Sequence, residues 1–297
     1  MKKEISLSEL GELMAEGPAG QEKIKKQQQA ITNLQEALML MVKRRRPYEV
    51  PIKGTDNVIK FGVIGDTQIG SLYQRTDALT AFYERCEDEG VKYILHAGDV
   101  LDGWRVYRGQ EFELDPNAKS WPEQRQMFVD IMPRTKDITT IFITGNHDSS
   151  FKKLVGMIVG EELALVRSDW KFIGQDIGEQ VFKTDSGLKF TTQLLHPGGG
   201  TAYAVSYQPQ KIIESIAGGQ KPDLIVIGHY HKSFYMPAYR NVTAILPGTF
   251  QSQTPFMIQH SLAAHIGGWI VTVTLNERKK LTSRIQAEWI GFFEEQR

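Results

Sequence analysis

Carboxylates, imidazoles and amides recur in this chain directly after short apolar runs. The clusters are Gly65-Asp66-Thr67-Gln68, Gly98-Asp99-Val100-Leu101-Asp102, Gly145-Asn146-His147-Asp148, Leu195-His196-Pro197 and Gly228-His229-Tyr230-His231. Oxygen and imidazole donors without thiolates suit hard-to-borderline divalent cations. Taken singly, each cluster is ordinary: Gly-Asp after a strand is usually a turn, and a lone histidine is more often structural. The conjunction decides. A given string such as Gly-Asn-His-Asp arises in a random chain of this length at a rate on the order of one in several hundred. Five such clusters, in order and at strand ends, are not chance.

Such groups need rigid supports. Val58–Ile64, Tyr93–Leu95, Ile141–Thr144, Phe190–Leu195 and Leu224–Ile227 read as strands. Helical stretches at Arg75–Glu89, Trp121–Met132 and Ser206–Ala217 lie between several of them. This alternation predicts an α/β protein with a largely parallel central region. Thr243–Leu246, Trp269–Leu275 and Leu281–Ile290 read as antiparallel strands with tight turns, as at Asn276-Glu277-Arg278. The expected fold is a layered sandwich of mixed β-sheets flanked by helices. Ligands of open α/β sheets bind at the carboxyl ends of strands, so the clusters are expected to converge.

With 297 residues, 41% hydrophobic and 24% charged, the chain is not wholly disordered. Its 35 basic and 35 acidic residues balance, which argues against a surface coated in positive charge. The one cysteine, Cys86, makes neither an internal disulfide nor a structural zinc site, and points to a reducing, cytoplasmic compartment. No run approaches the roughly eighteen apolar residues of a membrane span, and MKKEISLSEL lacks the apolar core of a secretory signal. Residues 1–46 read as a helical appendage, with capping-box spacing at Ser6–Glu9 and a break at Gly17-Pro18. A second helix is expected from about Gln21 to Arg46, with Ile24, Ile31 and Leu38 seven residues apart. Nine basic and six acidic residues make this segment net positive. Packing on the main domain, a homodimer through these helices, and contact with a nucleic-acid backbone are its three readings. Residues 47–57, with Pro47 and Pro51, read as an extended linker, and residues 58–297 as the main domain.

The clusters resemble the signature of the calcineurin-like metallophosphoesterase superfamily, over residues 58–255. That signature reads Asp-x-His, Gly-Asp-x-x-Asp, Gly-Asn-His-Asp/Glu, a later lone His, and Gly-His-x-His. Leu246-Pro247-Gly248-Thr249 matches the turn that commonly follows. The resemblance implies two divalent metal ions, manganese first, with magnesium, iron or zinc as other candidates. Asp66, Gln68 and His231 would hold the first ion, Asn146, His196 and His229 the second, and Asp99 would bridge them. It further implies a bridging water or hydroxide that attacks phosphorus in line, between ions roughly 3.5–4 Å apart. His147 would stabilise developing charge or protonate the leaving oxygen. Asp102 is expected to orient His147 by accepting a proton from its other ring nitrogen, and Asp148 to fix the loop. Gln68 departs from the pattern, standing where the family has histidine. Its amide is a poorer zinc ligand and more compatible with manganese or magnesium, so a weak, exchangeable first metal is expected.

The insert after Asp102 offers Trp104 and Tyr107 as stacking faces and Arg105 and Arg108 as phosphate holders. Tyr203, Tyr230, Phe234, Tyr235 and Phe250 add aromatic faces around the later clusters. A phosphodiester of nucleic acid or a nucleotide suits such a site, and the chain is similar in look to the DNA-repair exonuclease branch and to phage and prophage phosphoesterases. Gly103-Trp104 stands where the Ser/Thr protein phosphatases carry Arg-Gly, and Val100 where purple acid enzymes carry a tyrosine. The expected activity is that of a metal-dependent phosphodiesterase acting as a nuclease. One alternative is a cyclic-nucleotide or other small-molecule phosphodiesterase. The other is a non-catalytic nucleic-acid-binding or assembly subunit with a degenerate metal site, as in polymerase small subunits. Retention of His147 and of every expected ligand but one favours the enzyme.

Overall fold

Apolar residues of both parities along one strand require cover on both faces of its sheet. Strand β2 (Val58–Ile64) shows the pattern: Ile59, Phe61 and Val63 bury on one side, Ile64 on the other. The computed structural model describes residues 47–53, 57–200, 202–276 and 281–293. The helices expected in residues 1–46, and Glu277-Arg278 of the expected turn, lie outside these.

Two six-stranded sheets stack face to face. In the first, β3 (Tyr93–Ala97), β4 (Thr139–Thr144) and β5 (Trp170–Gln175) continue β2 in parallel. On its other edge β11 (Gly267–Asn276) and β12 (Leu281–Gly291) follow antiparallel. The second sheet runs β1 (Tyr48–Ile52), β6 (Ile177–Thr184), β7 (Lys189–Leu195), β8 (Leu224–Ile227), β10 (Val242–Pro247) and β9 (Ser233–Tyr239). Its β7, β8 and β10 are parallel, while β6 and β9 pair antiparallel to β7 and β10. Between the sheets Phe61 stacks on Phe182 at 5.1 Å with Phe190 at 6.3 Å, all fully buried. Each such ring contributes about 1.5–3 kcal/mol by leaving water.

Helices cover both outer faces. On the first sheet lie α1 (Thr76–Asp88), α2 (Trp121–Ile131) and α4 (Val159–Val166), which bring Phe82, Phe128 and Leu163 onto Ile64, Ile94 and Phe142. Trp170 closes this layer edge-on to Phe128 at 4.9 Å. Helix α5 (Tyr207–Ser215) lays Ile213 on Ile225 and Ile227 of the second sheet. Two short helices, α3 (Ser149–Val155) and α6 (Pro255–Gln259), lie in the connections. The architecture is the expected mixed-sheet sandwich.

Three details differ from expectation. Residues 48–52, expected within an extended linker, are extended and also pair in parallel with β6 as an edge strand. Pro51 is tolerated because an edge strand needs fewer ladder donors. Strand β10 is antiparallel only to β9 and parallel to β8, so it belongs to the central region. Strands β5, β6 and β9 were not expected. Strands β2, β3 and β4 of one sheet and β7 and β8 of the other end at the same place, where hydrogen bonds join their terminal loops.

Candidate metal centre

Each strand end turns sharply to release its polar residue. Gln68, Asp66, Asp99, His231 and His229 take positive φ values from 49° to 81°. A non-glycine residue held there costs about 1–3 kcal/mol, and such strain concentrated at one point is characteristic of functional sites. Gly145 permits the closest approach: a Cβ there would lie 2.2 Å from Asp99 Oδ1 and 2.7 Å from His196 Cδ2.

On one side of the centre, Asn146 Oδ1 lies 3.1 Å from His196 Nε2 and 2.9 Å from His229 Nδ1. His196 Nε2 is also 3.0 Å from Asp99 Oδ2. The ligand atoms of Asp99, His196 and His229 all lie within 4.8 Å of one another. Backbone carbonyls set the tautomers: His196 Nδ1 donates to Ala97 O at 2.8 Å, and His229 Nε2 to Gly199 O at 2.7 Å. In their neutral forms both rings therefore turn an unprotonated nitrogen inward, as metal-bound histidines do. Burial lowers the His196 pKa, but the Asp99 carboxylate more than offsets this and raises it to about 10. Burial and the neighbouring His196 lower that of His229. Burial alone would raise the Asp99 carboxyl, yet the His196, His147 and His229 imidazoles hold it well below the usual carboxylate range. Cation binding must displace the His196 proton, because a ligating nitrogen is deprotonated.

On the other side, both Asp66 oxygens accept from His229 N at 3.0 Å, and Oδ1 is 3.4 Å from His231 Nε2. Gln68 Nε2 donates to Asp99 Oδ2 at 3.3 Å. Gln68 Oε1 and His231 Nδ1 are buried without hydrogen-bond partners. A buried orphan costs about 1–3 kcal/mol, so the unpartnered Gln68 Oε1 is free to meet a cation, and the donor set of carboxylates, amide oxygen and imidazoles is right for a divalent one.

His147 stands beside these groups. Its N–H donates to Asp99 Oδ1 at 2.9 Å. Its ring Nδ1 donates to the main-chain carbonyl of Asp102 at 2.6 Å. The expected proton acceptor was the Asp102 carboxylate, but that lies 3.7 Å away, beyond hydrogen-bond range. Gln110 Nε2 instead occupies the carboxylate, at 3.2 Å from Oδ2, while donating to the same carbonyl at 2.6 Å. Burial raises the Asp102 pKa to about 6. Burial lowers that of His147, but the Asp99 and Asp102 carboxylates outweigh it and leave it raised. Asp148 fixes the loop as expected, accepting from Gly145 N, Val100 N and Leu101 N at 2.9–3.1 Å. Sequence reading missed Gln110, Gln251 and His96. Gln251 Nε2 reaches Asp102 Oδ1 at 3.4 Å, and His96 ties Gly98 N to Thr67. None of them carries a motif.

The substrate candidates fare differently. Tyr107 is not a free stacking face: its ring lies on Phe256 at 4.3 Å, its edge meets His147, and its hydroxyl donates to Glu113 at 2.6 Å. Trp104 is half-buried against the core. Arg105 is exposed with its guanidinium 5.5 Å from the Trp104 ring, and Arg108 is exposed. Tyr230 and Phe250 are buried, whereas Tyr203 is exposed.

A DNA polymerase II small subunit of Methanothermobacter thermautotrophicus is 27% identical over 250 residues, covering 69% of this chain and 50% of that protein. One of Archaeoglobus fulgidus is 29% identical over 199 residues, covering 57% and 39%. The matched region thus spans half or less of these curated relatives. The structure of a dimetal phosphatase from Danio rerio aligns over 80% of this chain and 97% of that one, with 13% identity and a TM-score of 0.39. The family profile for calcineurin-like phosphoesterase matches residues 59–233, which is more than half of the chain and encloses every cluster from Asp66 to His231. The chain belongs to the calcineurin-like phosphoesterase family.

Proposed function

We propose that this protein is a metal-dependent phosphodiesterase that cleaves nucleic acid. One observation carries the reading: His147 is anchored through both its main-chain and ring nitrogens beside a retained ligand constellation. A chain that kept only the fold would have no need of either. Asp66, Gln68, Asp99 and His231 would hold one cation, and Asp99, Asn146, His196 and His229 the second. When bound, divalent cations supply Lewis-acid chemistry, neutralising phosphoryl oxygens and acidifying water. Asp99 Oδ2 lies between the halves of the site, 3.3 Å from Gln68 Nε2 and 3.0 Å from His196 Nε2, while Oδ1 is held by His147 N. The Asp102 carbonyl holds Nδ1 of His147, which leaves Nε2 to carry a proton to the departing oxygen. The amide of Gln68 favours manganese or magnesium over zinc.

The named relatives favour a second reading, in which the chain is an accessory subunit of a DNA polymerase. Labelled single-stranded and duplex DNA, incubated with and without manganese, separates the two. The first reading requires manganese-dependent cleavage that His147→Ala removes. DNA binding without cleavage in any divalent metal would support the second.

A further inference from the structure

Between the chain entering β11 and the end of β12 lies a cleft of about 550 Å³ lined by Gln253, His265, Ile266, Trp289, Phe292 and Phe293 among others. We propose that this cleft is a subsite for an unpaired nucleobase of the substrate strand, next to the phosphate held at the metal centre. The inference rests on the phosphodiesterase reading for its neighbour and on the cleft's own chemistry for its occupant.

The cleft and the metal centre share a wall. His265 N donates to the carbonyl of His231 at 2.9 Å, and Thr249 N donates to His265 O at 3.0 Å. The Thr249 hydroxyl in turn donates to the Asp66 carbonyl at 2.8 Å. Trp289 is held at this wall by two glycines. A Cβ on Gly248, in the same turn as Thr249, would lie 2.6 Å from Trp289 Cη2, and one on Gly291 would lie 2.5 Å from Nε1. Trp269 supports the indole from another side, with ring centroids 5.3 Å apart.

The lining selects a base over other groups. Among the described residues its lining contains no Asp, Glu, Lys or Arg, so its chemistry there is aromatic with the neutral polar groups of Gln253 and His265. Phe293 is 88% exposed, so its ring face is open at the cleft. Flat aromatic faces stack any base, and hydrogen-bonding groups beside them meet its edge. Ser233 N donates to His265 Nδ1 at 3.0 Å, which leaves the neutral ring its proton on Nε2 as a donor at the cleft. Tyr107, expected to stack a base, is instead committed to Phe256.

The test is equilibrium binding by fluorescence anisotropy of the metal-stripped full chain. The probes are a labelled oligothymidylate, an abasic strand of the same length, and a duplex. The wild type should prefer oligothymidylate to the abasic strand and the duplex by about tenfold or more. Phe293→Ala, an exposed position that cannot disturb the core, should lose most of that margin, as should Trp289→Ala, while Trp289→Phe retains it. Equal affinity for the thymidylate and abasic strands, or a full margin in Phe293→Ala, would overturn the subsite and leave the cleft to a protein partner. Diester hydrolysis is scored separately on the wild type. Base preference without hydrolysis would overturn the phosphodiesterase and keep the subsite, whereas hydrolysis without base preference would overturn the subsite alone.

Discussion

Replacing Gly145 by alanine tests how tightly the ligand cage is built. The added Cβ would lie 2.2 Å from Asp99 Oδ1, and ordinary contact begins at 3.4 Å, so the carboxylate must retreat by about 1.2 Å. It cannot do so alone, because its oxygens also hold His147 N at 2.9 Å and His196 Nε2 at 3.0 Å. A misplacement of about 1 Å costs a catalytic constellation on the order of a hundredfold in rate, equivalent to about 2.7 kcal/mol. Overpacking should add about 1–3 kcal/mol of lost stability. The assay is a manganese isotherm on metal-stripped protein, hydrolysis of a bis-aryl phosphodiester, and a thermal melt, each beside wild type. Gly218→Ala, where a Cβ meets nothing within 4 Å, is the control. A Gly145→Ala protein with wild-type metal affinity and turnover would refute the claim that Asp99 bridges the two halves of the site.

Other perturbations have equally definite outcomes. His147→Ala should lower kcat by about 10²–10⁴ in protein that still folds and still binds metal; unchanged turnover would remove His147 from the mechanism. Gln68→His should tighten the weaker metal step and shift preference toward zinc or iron, and superimposable titrations of the two proteins would show that Gln68 does not coordinate. Burial pushes the Cys86 thiol from 9.0 up to about 12. At pH 8 the native thiolate is then about a thousandfold scarcer than in the unfolded chain, so an aromatic disulfide reagent should label Cys86 only after denaturation. The native state keeps this proton where the unfolded chain loses it, so this contribution to stability is complete below pH 9.0 and is lost as pH rises toward about 12. Rapid labelling of native protein would contradict the burial.

The sequence is most legible where one residue's role depends on its immediate neighbours. Strands β2 and β8 begin and end where expected, because β8 is four buried apolar residues and only Lys60 interrupts the apolar run of β2. Strand β6 buries polar residues such as Gln180 beside apolar ones, β9 is largely half-exposed, and β1 contains a proline, so none stands out locally. The clusters carrying Asp66, Asp99, Asn146, His196 and His229 can be read because each sits at a strand end. The groups that brace them cannot. Gln251 reaches Asp102 across 149 residues of chain, and glutamine has no spacing signature. The choice of carbonyl over carboxylate as the partner of His147 depends on less than 2 Å of loop geometry, which no spacing encodes. Tyr107 likewise looked available because Phe256, far along the chain, is what occupies it.

The most direct test of the central claim is hydrolysis of a bis-aryl phosphodiester by metal-stripped protein titrated with manganese, beside the matching monoester. A working phosphodiesterase shows no turnover without metal, and saturable, manganese-dependent cleavage that favours the diester. Absence of turnover with every divalent metal, from folded protein that still binds DNA, would contradict the claim and assign the chain an accessory role.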